Sequence, residues 1–136
     1  MLISFNQITL DQMNEEDMQH LAEIILLDPN MEEQYIYDKL ATGAAVPWRL
    51  VTDKGTGIML LEVRDRRTER TLNIFFVAGE GIHGSVLYIL DTVIEFAKLH
   101  NCTAVDAFTK PCIGKYLCRP ETGFETTHYH VRKELH

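Results

Sequence analysis

A single α/β domain built on a mixed central sheet is the fold class that the sequence predicts. Three observations carry it. The apolar pattern switches from helical to strand spacing after Pro47. Strand-like runs then follow one another as a meander, and a glycine-rich turn joins the last of them to a helical stripe. The length of 136 residues suits one domain, residues 1–136, able to bury roughly two thirds of its unfolded surface without staples.

Taken in order, "LISFNQIT" at 2–9 alternates loosely and reads as a first strand. Thr9 or Asp11 can cap the following helix, whose early acids Glu15, Glu16 and Asp17 suit its positive end. Met18, Leu21, Ala22, Ile24, Ile25 and Leu26 mark its buried face, and "DPN" at 28–30 ends it. A second helix near 31–42 buries Tyr35, Ile36 and Leu40 and stops at Gly43. "WRLVTD" and "GIMLLEVRD" flank Lys54-Gly55-Thr56 as a hairpin. "TLNIFFVA", 71–78, is apolar enough to be central in the sheet. Val86, Leu87, Leu90, Val93, Ile94 and Ala97 form one stripe on a helix over 85–99. "TAVDAFT", 103–109, is a further strand, followed by a short helix at 111–119 and a closing strand in "FETTHYHVRKEL". The order is β-α-α-β-β-β-α-β-α-β, with 71–78, 85–99 and 103–109 forming a right-handed parallel crossover.

A net charge of −7 argues against non-specific nucleic-acid or membrane binding, and no stretch reaches membrane-spanning length. "RDRRTER" packs four arginines into 64–70, but two acids break the run, which reads as a solvated hairpin tip. Cys102, Cys112 and Cys118 form no CxxC pair, as expected in a reducing, cytoplasmic setting. No metal site is expected: His128 and His130 lack paired-cysteine spacing and read as a solvated face.

The stretch "FFVAGEGIHGSVLYIL" poses the functional question. A strand ending in a glycine turn that opens a helix can hold a phosphate, and in open α/β sheets ligands favour the carboxyl ends of strands. A turn needing glycine only for its backbone angles is the competing reading.

This order, the glycine turn, and a late Gly123-Phe124 before a strand ending Lys133-Glu134-Leu135 resemble the GNAT acyltransferase superfamily over nearly the whole chain. The chain looks particularly like short GNAT-like proteins of bacteriophages, which would place it in a host cytoplasm or a virion. The resemblance implies an N-acyltransferase using acetyl-CoA on an amine of a small molecule or protein. It also implies a cofactor site at Val77, Gly79, Gly81, Ile82, His83, Gly84 and Ser85. The family's loop reads Gln/Arg-x-x-Gly-x-Gly/Ala. With Gly84 last, Gly79 replaces the basic residue and Ile82 the middle glycine; with Gly81 in the middle, Ala78 comes first and His83 last. Either register lacks the positive side chain. Glu80 adds a repulsion of about 3 kcal/mol for a phosphate charge about 5 Å away at an effective dielectric near 20.

Acyl transfer to an amine needs a base, and an acid for the leaving thiolate. The family's acid on the central strand is missing from "TLNIFFV", where Asn73 is the only polar residue after Thr71. Glu62 is the nearest acid and reads first as an outward-facing strand residue. Asp106 is a carboxylate in a buried-looking strand, facing a cleft or pairing with an arginine. The family's tyrosine acid implies Tyr116, although Arg119 occupies the matching position and packing is the competing role for Tyr116. Cys112 has no histidine partner in view. The alternative to an enzyme is a non-catalytic GNAT fold kept for protein contacts, as a virion or host-interaction component. The segment "ETTHYHVRKEL", with His128, His130 and Arg132 on one set and Tyr129, Val131 and Lys133 on the other, is then an edge strand for a homo-oligomer or another protein partner.

Overall fold

The computed structural model describes residues 2–27, 32–79 and 85–107, together with Phe124 and Lys133. The elements are β1 (Leu2–Gln7), a 3₁₀ turn (Leu10–Gln12), α1 (Glu15–Leu27), α2 (Glu33–Thr42), β2 (Ala45–Thr52), β3 (Gly55–Asp65), β4 (Arg70–Gly79), α3 (Val86–Leu99) and β5 (Ala104–Ala107). The strands make one sheet in the order β1-β2-β3-β4-β5. All neighbours are antiparallel except β4 and β5, which are parallel as a crossover through α3 requires. β4 is interior, as its apolar composition predicts. The helix and strand expected after 110, and the end of the 103–109 strand, lie outside the described residues.

Local chemistry sets the element ends. Asn14, rather than Thr9 or Asp11, caps α1: its Oδ1 accepts the Asp17 N–H at 2.9 Å while Asp17 Oδ2 accepts the Asn14 N–H at 3.0 Å. Thr9 instead opens the 3₁₀ turn, donating its N–H to Gln12 Oε1 at 2.8 Å. α2 stops at Gly43, which adopts φ 78° and returns its N–H to the Leu40 carbonyl at 3.3 Å. The first hairpin turns at Asp53-Lys54, one residue earlier than expected, because Thr52 pairs with Gly55. The Thr52 hydroxyl accepts the Lys54 N–H and donates to the Gly55 carbonyl, both at 3.2 Å, closing the turn locally.

Alternation along β3 divides the core between two faces. Ile58 and Leu60 meet Leu21, Ile36 and Leu40 beneath α1 and α2. Met59 and Leu61 meet Trp48, Leu72, Ile89, Val93, Phe96 and Ala97 beneath α3. Three expected helix stripes shift. α1 buries Leu21 but leaves Leu26 84% exposed, α2 leaves Tyr35 50% exposed, and α3 leaves Leu87 53% exposed while burying Ile89 and Phe96. Apolar residues occur on both sides of these helices, so periodicity alone does not choose the stripe that meets a twisted sheet.

One irregularity matters for the site. Leu60 pairs with Phe76 and Leu61 with Ile74, so Phe75 is an extra residue in β4. The bulge resets the alternation, and Ile74 and Val77 both join the α3 face. It falls immediately after Ile74–Ala107, the last described rung between β4 and β5.

Candidate functional site

β4 continues past that rung to Gly79, which pairs with Gly57, and α3 begins after Ser85. The carboxyl end of an interior strand and the N-terminus of a long helix therefore bracket the glycine-rich stretch. Of the cofactor residues that the resemblance implies, Val77 is half-buried on the α3 face and Gly79 ends β4. Gly81, Ile82, His83 and Gly84 lie outside the described residues, as does Tyr116. So does the range against which a splay of β4 from β5 would be measured.

Ser85 has the least expected environment. It occupies the N-cap position of α3 and is 0% exposed, yet its side chain makes no capping hydrogen bond. Its Oγ is buried and has no partner among the described residues. Ser at this position ordinarily accepts an N–H of the first turn, and a buried hydroxyl left unpaired costs about 1–3 kcal/mol.

The acids form a second feature. Glu62, Asn73 and Asp106 stand in register across β3, β4 and β5, all on the α1/α2 face. Glu62 is buried rather than outward-facing, which corrects the first sequence reading. Lys39 Nζ on α2 donates to its Oε1 at 2.8 Å, and Arg64 Nη2 lies 3.5 Å from its Oε2. A carboxylate under a helix demands such partners. The hydrogen bond that Lys39 donates to Glu62 is the main cause that raises the Lys39 pKa, partly opposed by burial. Asp106 accepts from Asn73 Nδ2 at 2.9 Å and pairs with Arg66 at 3.3 Å, so the arginine-rich hairpin supplies its cation. The structure thus joins Glu62 and Asp106 to one polar row, each already engaged by cations.

Two constellations escaped the sequence reading. Asp17, 1% exposed, receives Arg49 Nη2 at 2.6 Å and anchors the capped end of α1 to β2. Near the start of β3, the Thr56 hydroxyl donates to Glu16 Oε1 at 2.6 Å, and His20 Nε2 lies 3.2 Å from Thr56 Oγ1. With the Thr56 proton directed to Glu16, His20 must donate through Nε2–H. The spacing of Glu16 and His20, four apart on α1, was the available signal. Half-buried Cys102 has its thiol pKa raised by burial, which argues against reactivity. Among the described residues no cluster of metal ligands gathers, and no helix is long and apolar enough to cross a membrane.

No protein-family model matches the chain, and neither does any curated protein. Solved structures do match. A predicted acetyltransferase of Clostridium acetobutylicum, crystallised with acetyl-CoA, aligns with a TM-score of 0.69 at 16% identity, covering 98% of this chain and 96% of that one. A Pyrococcus furiosus protein designated an acetyl transferase gives 0.69 at 13% identity, covering 97% and 100%. A protein of Bacillus halodurans described as a transcriptional regulator gives 0.65 at 12%, covering 99% and 100%. At these identities the likeness speaks for architecture: the chain has the GNAT fold, with a mixed five-stranded sheet and three α-helices among the described residues.

Proposed function

We propose that the chain, with residues 1–136 forming one domain, is an N-acyltransferase that takes acetyl-CoA at the β4–α3 turn and acylates an amine. The observation that carries this reading is the buried Ser85 hydroxyl at the N-terminus of α3, which has no partner among the described residues. The first N–H groups of a helix have no partner within it. A phosphate there accepts from them, satisfies the Ser85 hydroxyl and gains from the helix dipole. Gly79 and Ser85 flank the turn, Gly81, Ile82, His83 and Gly84 belong to it by sequence, and Val77 stands at its approach. When bound, coenzyme A supplies an acyl carbon activated as a thioester. Glu62 and Asp106 act as anchored anions, because cations already hold both, so water takes the proton of the amine. Tyr116 is the proposed donor to the leaving thiolate.

The engagement of both acids also supports a second reading, a non-catalytic GNAT-fold interaction protein such as a virion component. The first turn of α3 exposes Leu87 and Tyr88, which suits a contact surface. Free thiol release from acetyl-CoA, followed with spermidine, L-lysine and a lysine-containing peptide, separates the two. The enzyme reading expects release above the protein-free rate with at least one amine. Binding of acetyl-CoA without release under any condition favours the interaction protein.

A further inference from the structure

The two ends of an asparagine amide have nearly the same shape, so its partners decide which end faces where. Asn73 is 1% exposed, and its neighbour across the parallel rung is Asp106. A carboxylate offers only acceptors, which forces the amide nitrogen of Asn73 toward β5. Nδ2 lies 2.9 Å from Asp106 Oδ1 and 3.5 Å from the Asp106 carbonyl oxygen, so both its hydrogens have a taker on that residue. Arg66 occupies the other carboxylate oxygen, Oδ2, at 3.3 Å and holds Asp106 in this role. Asn73 Oδ1 is left as the other end of the amide, and no described residue donates to it. The site is one residue before the last described β4–β5 rung and two before the Phe75 bulge.

We infer that Asn73 Oδ1 is the hydrogen-bond acceptor that orients the acyl-accepting amine, with Asp106 and Arg66 as positioning residues that lock its polarity. The identity of the ligand as an amine rests on the acyltransferase reading; the polarity of the site does not. A group presenting N–H satisfies Oδ1. A carboxylate or carbonyl oxygen brought to the same point meets another acceptor and is refused. Asn73 neither takes nor gives a proton, so no bond is made or broken at it. A buried acceptor of fixed direction discriminates more strongly than an apolar wall, because the wrong partner leaves it unpaired.

The test uses the full-length chain and two small probes of equal length, n-butylamine and butyrate, followed by the backbone amide resonances of residues 73, 74 and 106. The amine should shift these resonances saturably and butyrate should not. Asp106→Asn lets the amide of Asn73 turn over, and should weaken the amine response about tenfold. The exchange Asn73→Asp with Asp106→Asn restores a donor facing an acceptor and keeps an acceptor at position 73, so the response should return to within about threefold. The exchange also covers the case in which Asp106→Asn alone does not fold. No amine response in the native chain, an equal response to butyrate, or no recovery in the exchange overturns the inference. Calorimetry with acetyl-CoA on the same native sample reports on the acyltransferase reading separately. Absence of heat there removes that reading while leaving the amine and butyrate outcomes to decide the polarity of the site.

Discussion

The two faces of the sheet solve different problems. Beneath α3 the face is dry and aromatic: Phe5 stacks on Trp48 at 5.0 Å, and Phe96 meets Trp48 edge-on at 5.2 Å. Area removed from water and close packing account for it. Beneath α1 and α2 the apolar cluster around Leu21 shares its face with Arg49, Glu62, Asn73 and Asp106, each meeting a partner from another element. Such groups cost free energy to bury and are retained only when satisfied. The α3 face therefore supplies stability, while the opposite face spends some of it on fixed polarity beside the last described β4–β5 rung.

Breaking the dry face should have the largest effect. Trp48→Ala is expected to cost about 4 kcal/mol in urea unfolding, because it empties the centre of the aromatic cluster. A loss below about 1 kcal/mol would show that the cluster collapses around the cavity. On the other face, Arg49→Met leaves the Asp17 carboxylate buried without its guanidinium, and a loss of about 3 kcal/mol is expected by the same measurement. Near-native stability would mean that water reaches Asp17.

Glu62→Gln should cost less, about 1–2 kcal/mol at neutral pH, because half-buried Lys39 can turn toward solvent. The sign of its pH dependence follows from Lys39, whose pKa is raised above its ordinary 10.5 chiefly by the hydrogen bond it donates to Glu62. A raised folded pKa gives stability that is fully present below 10.5 and lost as pH rises through the folded value. The native chain and the variant should therefore converge above that value. Tyr37, raised above 10.0 mainly by burial, loses stability in the same direction in both proteins, so the difference isolates the ion pair. A gap that persists unchanged at high pH would place the effect in packing. The smallest change should come from Leu87→Ser on the exposed turn of α3, within about 0.5 kcal/mol. A larger loss would show that this residue is covered in solution, as the interaction reading requires.

The same division sets what the sequence revealed. Alternation in "GIMLLEV" and the apolar run "TLNIFFVA" were enough for the hairpin and the interior strand, since burial follows composition there. The bulge at Phe75 left no trace, because every residue of "IFFV" is apolar and either parity reads equally well. Partners on the polar face depend on register across three strands. Asp106 could be expected to find an arginine, but only the pairing of Asn73 with both Glu62 and Asp106 shows the row. Glu62 was read as outward-facing because nothing near it in sequence announces Lys39, which arrives from α2. Ser85 could be placed at a helix start, but not known to be buried without a partner among the described residues.

Ser85 also offers the most direct test of the proposed site, through isothermal calorimetry with acetyl-CoA on the native chain and on Ser85→Ala, paired with their urea unfolding. A hydroxyl that is unpaired in the free protein and serves a ligand has opposite effects on folding and binding. Ser85→Ala should unfold at the same urea concentration or later, gaining up to about 1 kcal/mol, while binding acetyl-CoA about tenfold more weakly than the native chain. A folded native protein that gives no heat with millimolar acetyl-CoA, or a Ser85→Ala protein that binds it as tightly, contradicts a coenzyme site at the start of α3.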